Sequence, residues 1–332
     1  MEQRRSGRQK CSKGGEKLIR ISQLKLPITH TKAQLEKKIA KTLKNPGNSF
    51  TYEIKKQSLD CRHKNDKIFV YTVDVTIRDE QKLAKKVNNN NIMLTKEKPY
   101  EFPSPGETPL LHSPVIVGSG PAGLFCGWYL AKAGYCPIIL ERGEEAEKRQ
   151  KTVENFWKNG VLDPESNVQF GEGGAGTFSD GKLNTAIKDP TGRIHEVLRI
   201  FAEFGADSRI LYVNKPHIGT DVLAKVVQNI RKKITACGGE VHFQTKLTAI
   251  HEKDGAVNGI TVFDRAENKS FTHACNTVCL AIGHSARDTF EMLLAQGISM
   301  QPKAFAVGVR MEHPQSFINQ NAYGNCHYKL PA

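Results

Sequence analysis

The sequence lacks any hydrophobic run close to the roughly 18–20 residues that a membrane-spanning helix needs. Its N-terminus, MEQRRSGRQKCSKGGEK, has no apolar core of the kind that marks a secretory signal. We therefore expect a cytoplasmic protein with no transmembrane segment. The same N-terminus is basic and poor in acids, so organelle targeting stays open as an alternative to a disordered basic tail over residues 1–16.

Paired cysteines are absent as well. None of the eight cysteines belongs to a C-x-x-C pair, and the two nearest in sequence, Cys275 and Cys279, have no histidine at ligand spacing. Zinc sites and redox-active disulfides usually show such spacing. We therefore expect no metal site, and we expect reduced, mostly buried thiols of the kind found in intracellular proteins.

The net charge of +14 is unevenly distributed. Residues 1–110 hold 24 Lys and Arg against 12 Asp and Glu, whereas residues 111–332 hold 24 against 22. A basic surface on the first third of the chain suits an anionic partner, for which RNA, an anionic membrane surface and an acidic protein are the alternatives. A solvated, lysine-rich surface without a partner is the simpler interpretation.

The first predicted domain, residues 17–87, has a β-α-β-β pattern typical of a small ferredoxin-like α/β domain. Thr31 and Gln34 have the spacing of a capping box, which opens a helix with apolar residues on one face. Asn45-Pro46-Gly47 predicts the end of that helix. The other predicted elements are strands at 17–28, 50–59 and 67–77, a turn at 63–66 and a short helix at 80–87. Residues 88–112 lose periodicity and contain four prolines, which predicts a linker.

Residues 115–141 have the order of a dinucleotide-binding unit: an apolar strand, Gly118-x-Gly120-x-x-Gly123, a helix, and a second strand that ends at Glu141. Gly118 permits a tight turn, Gly120 leaves room for a pyrophosphate, and Gly123 lets helix and strand pack closely. The helix N-terminus presents free N–H groups to the phosphates. Glu141 can accept hydrogen bonds from ribose hydroxyls, and an acid at that point argues against the 2′-phosphate of NADP.

A second glycine-rich segment follows, in which five of the eleven residues 171–181 are glycine. It lacks the G-x-x-x-x-G-K-[ST] order of an ATP-binding P-loop. We predict that its backbone lies against a flat or phosphorylated ligand, with a flexible surface loop as the alternative. The side chains that supply hydrogen-bonding groups beside these glycines are Thr177, Ser179, Asp180 and Asn184.

The remaining pattern alternates helices and strands up to about residue 300, which implies a parallel sheet. Residues 250–263 have the pattern of an antiparallel hairpin. We therefore predict an α/β fold: a Rossmann-like, parallel-sheet domain over residues 113–300 with an inserted antiparallel hairpin, preceded by the small ferredoxin-like domain. The other predicted elements are helices at 144–157, 191–207 and 220–236, and strands at 241–247 and 277–282.

Five segments together resemble a family of FAD-dependent dehydrogenases, also described as NAD(FAD)-utilising dehydrogenases. They are VIVGSGPAGLF, NVQFGEGGAGTFSDGKL, KPHIGTD, CLAIGHSARDTFEML and FAVGVRMEHPQ. This family belongs to the flavoproteins with a glutathione-reductase-type FAD domain, and the resemblance covers roughly residues 17–332. It implies FAD, rather than free NAD, at the first glycine motif.

The resemblance also implies a set of cofactor contacts. The first glycine motif would surround the pyrophosphate, Glu141 would hold the adenosine ribose, and backbone near Leu247 would meet adenine. The glycine-rich segment at 173–184 would run toward the isoalloxazine ring. The cofactor-binding residues predicted in this way are Gly118, Ser119, Gly120, Pro121, Ala122, Gly123, Glu141, Arg142, Gly173, Gly174, Thr177, Ser179, Asp180, Asn184, Leu247, Ala281 and Gly283.

One part of the family pattern is missing. Flavoproteins of this group usually carry a late Gly-Asp motif that binds the ribityl-phosphate part of FAD, and none follows Gly283. Residues 301–332 resemble only the start of a substrate domain, with a first strand at 305–311. We therefore expect a fragment or a truncated gene product with an incomplete cofactor site.

The leading hypothesis is an FAD-dependent oxidoreductase, a dehydrogenase, acting on an unknown small-molecule substrate. The alternatives are a flavin-containing RNA-binding or RNA-modifying protein that docks RNA on its basic N-terminal domain, and an inactive remnant that serves as an interaction module. Candidate proton donors are His217, His284 and His313, and Arg310 is a candidate for binding an anionic substrate. For each of these residues a purely structural role is the simpler interpretation.

Overall fold

The computed structural model describes residues 17–44, 49–62, 66–78, 80–87, 89–96, 99–178, 181–183, 185, 187–309 and 311–323. These residues form two α/β units, each with its own hydrophobic core. No helix within these ranges is both long and apolar enough to cross a membrane. The predicted tail at 1–16, the predicted helix stop at Asn45-Pro46-Gly47 and most of the predicted turn at 63–66 lie outside the described residues.

The N-terminal unit is a helix-covered antiparallel sheet. Its elements in chain order are β1 (Lys17–Pro27), α1 (Lys32–Thr42), β2 (Thr51–Asp60), β3 (Ile68–Thr76), α2 (Glu80–Val87) and β4 (Ile92–Lys96). The strands lie in the order β2-β3-β1-β4, and every pairing is antiparallel. A β-α-β-β-α-β chain with this order has the ferredoxin-like arrangement, as predicted.

Helix α1 begins at the predicted capping box. The Thr31 hydroxyl oxygen accepts a hydrogen bond from the Gln34 N–H at 3.3 Å, and the Gln34 side-chain oxygen accepts one from the Thr31 N–H at 2.7 Å. These reciprocal bonds satisfy donors that the helix itself leaves unpaired. Leu35, Ile39 and Leu43 then lie on one face of the helix, where all three are buried against the sheet.

The structure corrects the predicted linker at residues 88–112. Part of that stretch forms β4, which pairs antiparallel with residues 17–21 of β1. The sequence pattern missed this strand because it is short and follows a run of asparagines. An edge strand of this kind depends on pairing with its neighbour more than on its own residues, so the N-terminal unit extends to Lys96.

The second unit combines a parallel sheet, an antiparallel sheet and covering helices. Its elements are β5 (Val115–Val117), α3 (Pro121–Lys132), β6 (Ile138–Leu140), α4 (Ala146–Asn159), α5 (Arg193–Glu203), α6 (Thr220–Ala236), β7 (Glu240–His242), β8 (Thr245–Lys253), β9 (Ala256–Asp264), β10 (Lys269–His273), β11 (Val278–Leu280), α7 (Arg287–Ala295) and α8 (Gln315–Ile318). Short 3₁₀ turns lie at Gly174–Phe178 and Ser208–Leu211, and a π-helical turn lies at Asn319–Tyr323. The parallel strands have the order β11-β5-β6-β7, and the antiparallel strands have the order β10-β9-β8. The predicted α/β class, with a Rossmann-like sheet and inserted antiparallel strands, is confirmed.

The two central strands of the parallel sheet, β5 and β6, are covered on both faces. Ile116 and Ile139 pack against helices α3, α5 and α6, whereas Val115, Val117 and Leu140 pack toward the antiparallel sheet. Strands buried on both faces are apolar throughout instead of alternating. For this reason β5 and β6 could be recognised from the sequence although each is only three residues long.

The predicted strand at 241–247 is two strands in different sheets. β7 ends at His242 and β8 begins at Thr245, and between them Gln244 has a left-handed conformation with φ 54°. The Gln244 N–H donates to the Gly143 carbonyl, which fixes this bend beside the end of β6. Strand β10 pairs antiparallel with β9 and adds a third strand to the predicted hairpin. The sequence pattern does not predict it.

The described part of residues 305–311 does not form the predicted strand. Phe305, Val307, Val309 and Met311 are 84%, 85%, 90% and 77% exposed, and no described strand runs beside them. Alternating apolar residues do not hold a strand by themselves, because a strand needs a hydrogen-bonded neighbour and a covering layer.

The two units are joined by backbone hydrogen bonds at the edge of β2. The Gln57 N–H donates to the Tyr212 carbonyl at 2.7 Å, and the Gln57 carbonyl accepts from the Asn214 N–H at 2.7 Å. The connecting segment adds an aromatic contact, since Phe102 stacks on Tyr129 of α3 with 4.1 Å between ring centroids. At Gln57 the edge strand of the first sheet is thereby paired with the second unit.

The packing of α1 can be tested at Ile39, which is fully buried. We expect Ile39→Ala to lower the free energy of unfolding of the N-terminal unit by about 2–5 kcal/mol, because it leaves a cavity in the core. Urea unfolding followed by circular dichroism measures the change. Lys37→Ala, at an exposed position of the same helix, is the matched control and should cost no more than about 0.5 kcal/mol. An equally small loss for Ile39→Ala would contradict the described core.

Candidate functional site

A cavity of about 650 Å³ lies at the carboxyl ends of β5, β6 and β11, beside the N-terminus of α3. Ligands of open α/β sheets bind at this edge. One wall of the cavity is polar or glycine-rich, and it consists of Gly118, Gly120, Pro121, Ala122, Glu141, Arg142, Gly171, Gly174 and Ala175. The other wall is mainly apolar, and its members include Leu247, Ala281, Ile282, Gly283, Ala286, Phe290, Leu293 and Met300.

Two glycines of the turn after β5 are required by the fold. Gly118 has φ +102°, and a Cβ there would lie 2.4 Å from the carbonyl oxygen of Ala281. A Cβ on Gly123 would lie 1.8 Å from the carbonyl oxygen of Gly118. Helix α3 therefore approaches β5 more closely than any side chain at these positions would allow.

Gly120 is different, because the space left by its missing side chain opens onto the cavity. Its φ of −67° suits any residue, and the nearest neighbour of a Cβ there would be the Gly174 Cα at 3.9 Å. Gly120 also gives α3 no side-chain cap, so the partial positive charge of the helix N-terminus remains available beside the cavity. The fold does not need glycine at this position, whereas a ligand that approaches the backbone does.

Glu141 lies at the end of β6, and it lines the cavity although only 4% of the residue is exposed. One carboxylate oxygen accepts hydrogen bonds from the N–H and the hydroxyl of Ser119, both at 2.8 Å. The other oxygen accepts from the N–H groups of Gly143 and Gly171, at 2.9 and 3.0 Å. The carboxylate thus ties the glycine turn, the end of β6 and the glycine-rich segment together. Its contact with a ribose stays a prediction.

Arg142 also lines the cavity, but its guanidinium is committed to acidic partners. It donates to both oxygens of Asp288, at 2.9 and 2.8 Å, and to Glu165 at 2.7 Å, and it lies over the ring of Phe170. Lys246 pairs with the same two carboxylates. Arg142, assisted by Lys246, holds the pKa of the Asp288 carboxyl well below its usual range. This network attaches the first turn of α7 to the end of β6.

The glycine-rich segment reaches the cavity only in part. Gly171 and Gly174 line it, whereas Gly173 and Thr177, which the sequence also assigns to the cofactor, do not. Thr177 is buried, and its hydroxyl donates to the Gly174 carbonyl at 2.9 Å. A Cβ on Gly173 would lie 2.5 Å from the Thr177 methyl carbon. Gly173 and Thr177 thus pack against each other away from the cavity, and this contact maintains the shape of the segment.

The segment is organised by Arg149, which the sequence pattern did not single out. This fully buried side chain donates to the backbone carbonyls of residues 167, 168, 172 and 174 at 2.7–3.0 Å and to the Thr177 hydroxyl oxygen at 2.9 Å. Burial lowers the pKa of Arg149 to about 10, so it remains a cation at neutral pH. One sequence signal pointed to it, because Arg149 lies on the same helix face as the buried Ala146 and Val153.

A second buried charge, Glu172, anchors the segment to two helices. Its carboxylate accepts a hydrogen bond from the Ala146 N–H at 2.8 Å, and it lies 2.9 Å from the Nε of Arg231 on α6. Burial raises the pKa of Glu172, and the ion pair with Arg231 opposes that shift. Glu172 therefore connects the glycine-rich segment to α4 and α6. These buried contacts argue against the alternative of a flexible surface loop.

Of the candidate proton donors, His284 is the one that lines the cavity, and its Nε2 lies 3.4 Å from the Ser285 hydroxyl oxygen. His217 instead forms a backbone bridge to Lys182. His313 is exposed, and its ring lies beside Phe317. The predicted site residues that lie outside the described part of the chain are Ser179, Asp180, Asn184 and Arg310.

In the described ranges, no cluster of three or more His, Cys, Asp or Glu residues is arranged to hold a metal ion. Cys126 of α3 and Cys279 of β11 are in contact, with 3.9 Å between their sulfur atoms. Burial raises the pKa of the Cys126 thiol to about 11. This thiol is therefore protonated at neutral pH and is a poor nucleophile.

Two stretches of the chain match known families. Residues 18–76 match a domain of unknown function (DUF8436), and residues 116–149 match an NAD(P)-binding Rossmann-like domain. The second match begins within β5 and runs through α3 and β6 into α4, so it contains the glycine turn and Glu141. Together with the strand order, this match shows that the chain contains a Rossmann-like dinucleotide-binding domain.

Most of the chain is similar to part of a longer protein. An uncharacterized protein of Clostridium beijerinckii is 46% identical over 310 residues, which are 93% of this chain and 57% of that protein. The chain thus spans little more than half the length of this curated relative.

Solved structures give weaker similarities. Thermovibrio ammonificans THI4 is 22% identical, with a TM-score of 0.36 over 57% of this chain and 63% of that chain. The glycerol-3-phosphate dehydrogenase of Bacillus halodurans, solved in complex with FAD, is 13% identical, with a TM-score of 0.35 over 56% of this chain and 36% of that chain. At these identities and TM-scores the similarities do not bear on function.

The role of Arg149 can be tested with Arg149→Met, which keeps an apolar stem but removes every hydrogen bond to the segment. We expect faster amide exchange across residues 167–177 and a stability loss of at least about 3 kcal/mol, since each buried carbonyl left without a donor costs about 1–3 kcal/mol. Hydrogen–deuterium exchange and urea unfolding measure the two effects. Lys151→Met, exposed on the same helix, is the control. Unchanged exchange across the segment would show that Arg149 does not organise it.

The ion-pair network around Asp288 predicts a pH dependence. The folded-state pKa of Asp288 lies below the unfolded value of about 3.9, so its contribution to stability is present above that pH and is lost as the pH falls through the folded-state value. We expect Asp288→Asn to lower Tm modestly at pH 7, because the carboxylate is partly exposed. The difference from wild type should shrink below about pH 4. Thermal unfolding across this pH range measures it, with the exposed Glu267→Gln as control, and a pH-independent difference would contradict the assignment.

Proposed function

We propose that this chain forms the cofactor-binding part of an FAD-dependent oxidoreductase that acts on a small-molecule substrate. The observation that carries the proposal is Gly120, whose missing side chain opens onto the cavity where the fold does not require glycine. A pyrophosphate is a ligand group that needs backbone this close to a helix N-terminus. The cavity volume of about 650 Å³ lies in the usual range for cofactor and ligand sites.

The residues that line the cavity fit the parts of a dinucleotide. The turn from Gly118 to Gly123 would hold the pyrophosphate, and Glu141 would accept a hydrogen bond from the ribose. The apolar wall around Leu247 and Phe290 suits the adenine ring. An acid at the end of β6 disfavours a 2′-phosphate, so FAD or NAD fits better than NADP.

The choice of FAD rests on the resemblance of the longer sequence motifs to FAD-dependent dehydrogenases. When bound, FAD supplies the electron transfer that amino-acid side chains do not perform. The chain contributes binding, orientation and a candidate proton donor. His284 is that candidate, because it is the one of the three predicted histidines that lines the cavity.

Two alternatives to an FAD-dependent oxidoreductase were open from the sequence. An RNA-binding or RNA-modifying protein is not favoured, since the family that matches residues 116–149 is an NAD(P)-binding Rossmann-like domain and the cavity lies at its glycine turn. An inactive remnant that serves as an interaction module differs from the proposal in one measurable property, because it would not retain a flavin. The chain covers 57% of the length of its curated relative, so any activity of the whole protein is part of what we propose.

The proposal predicts that the full chain, incubated with FAD and then desalted, retains flavin absorbance at about one FAD per chain. Gly120→Ala should lower the affinity for FAD at least about tenfold, which is about 1.4 kcal/mol, because its Cβ occupies the approach of the pyrophosphate. Titration calorimetry measures the affinity. Tm should fall only slightly, since a Cβ at this position meets no atom closer than 3.9 Å and alanine is only a somewhat poorer N-cap residue than glycine.

Gly106→Ala is the matched control, because a Cβ there has no neighbouring atom within 4 Å and the residue does not line the cavity. Protein that stays colourless after incubation would contradict the proposal and support the inactive remnant. Equal FAD affinity of Gly120→Ala and wild type would show that the pyrophosphate does not lie against this turn.

A further inference from the structure

We infer that the N-terminal unit, most of which matches a domain of unknown function, serves the second unit by ordering the end of its glycine-rich segment. The connection is a strap, residues 212–218, which pairs with the N-terminal unit at one end and with residues 181–183 at the other. The inference goes beyond the proposed function, because it concerns the order of the backbone itself and needs no bound cofactor.

The glycine-rich segment is held by different means along its length. Its first part, up to Thr177, is organised by the hydrogen bonds of Arg149. Residues 181–183, which continue the segment, instead form a short antiparallel pair with the strap. There the Leu183 N–H donates to the Pro216 carbonyl at 3.0 Å. The position of the strap therefore sets the position of this part of the backbone.

The contact between strap and segment is closest at Gly181. This buried glycine has φ +66°, and a Cβ on it would collide with the carbonyl oxygen of Ile218. The Gly181 carbonyl also accepts a hydrogen bond from the Ile218 N–H at 2.9 Å. Position 181 therefore requires a glycine because the strap lies against it.

The other end of the strap pairs with the N-terminal unit at the edge strand β2. The Gln57 N–H donates to the Tyr212 carbonyl and the Gln57 carbonyl accepts from the Asn214 N–H, so Gln57 and Val213 form a parallel bridge. Edge strands present such backbone groups for pairing with another segment. The N-terminal unit thus supplies a template on which the start of the strap is extended.

The two ends of the strap are coupled by a strained bend at Lys215. Its φ of 62° lies in the left-handed region, which is unfavourable for a residue with a side chain. Pro216 follows, and the residue before a proline prefers extended backbone. A conformation of this kind persists only where the surrounding contacts enforce it. Without the pairing to Gln57, Lys215 can relax, and this relaxation moves the strap away from residues 181–183.

The test is hydrogen–deuterium exchange of the full chain, measured at the Leu183 and Ile218 amides. Gln57→Pro removes the N–H that the Tyr212 carbonyl accepts, and its ring displaces that carbonyl. The Gln57 N–H points away from β3, and proline is tolerated at such positions of an edge strand. We expect both amides to exchange at least about fivefold faster, which is the smallest effect of backbone strain of this kind. The Val73 amide of β3 should exchange as in wild type.

Gln57→Ala is the matched control. It removes the side chain that donates to the Tyr71 hydroxyl oxygen at 2.8 Å, but it keeps both backbone hydrogen bonds to the strap. Exchange at the Leu183 and Ile218 amides should therefore stay as in wild type. An effect as large as that of Gln57→Pro would overturn the inference, because it would act through the side chain instead of the backbone pairing.

Asn214→Pro breaks the same pairing from the second unit, and it decides the question if Gln57→Pro unfolds the N-terminal unit. Asn214→Ala, which keeps the N–H, is its control. Wild-type exchange at Leu183 and Ile218 in either folded proline variant would show that the core packing of Ile218 holds the strap alone, and the inference would be wrong. The measurement does not involve FAD. Failure of the chain to bind FAD would therefore contradict the proposed function and leave this inference standing.

Discussion

The close approach of helix α3 to strand β5 is the constraint on which the site depends. A Cβ on Gly123 would collide with the Gly118 carbonyl, and a Cβ on Gly118 would collide with the Ala281 carbonyl at the end of β11. The chain can therefore turn from strand to helix within a few residues. The end of β11 contacts the same turn. This geometry places the first turn of α3 at the mouth of the cavity and leaves Gly120 facing it.

Buried charges hold the rest of the polar wall. Glycine-rich backbone has no side-chain packing of its own and loses much conformational freedom when it is ordered. Here the order is imposed from outside. Arg149 donates hydrogen bonds to carbonyl groups of the segment, and Glu141 accepts a hydrogen bond from the Gly171 N–H. Two side chains of opposite charge thus give one strip of backbone its shape, and each is costly to bury unless its hydrogen bonds are complete.

The sequence predicted the features that depend on neighbours in the chain. The capping box at Thr31, the apolar strands β5 and β6, and the position of Glu141 at the end of β6 are all properties of short segments. The features that it missed depend on residues far apart in sequence. Strand β4 needs β1, and the break at Gln244 needs the end of β6 beside it.

The same limit applies to the site. A charged residue on a helix gives no sign that its partners are carbonyls about twenty residues further along, so Arg149 was recognisable only from its position on the buried face. Glu141 was predicted as a ribose ligand, but no pattern indicated that Ser119, Gly143 and Gly171 already occupy it. Whether a carboxylate is free can be read only from its three-dimensional surroundings.

A crystal structure of the full chain with FAD is the most direct test of the account. We expect the diphosphate to lie within hydrogen-bonding distance of the backbone N–H groups at the start of α3, against Gly120, with the adenine along the apolar wall near Leu247. A cofactor bound elsewhere, or a diphosphate kept away from that turn by protein side chains, would contradict it.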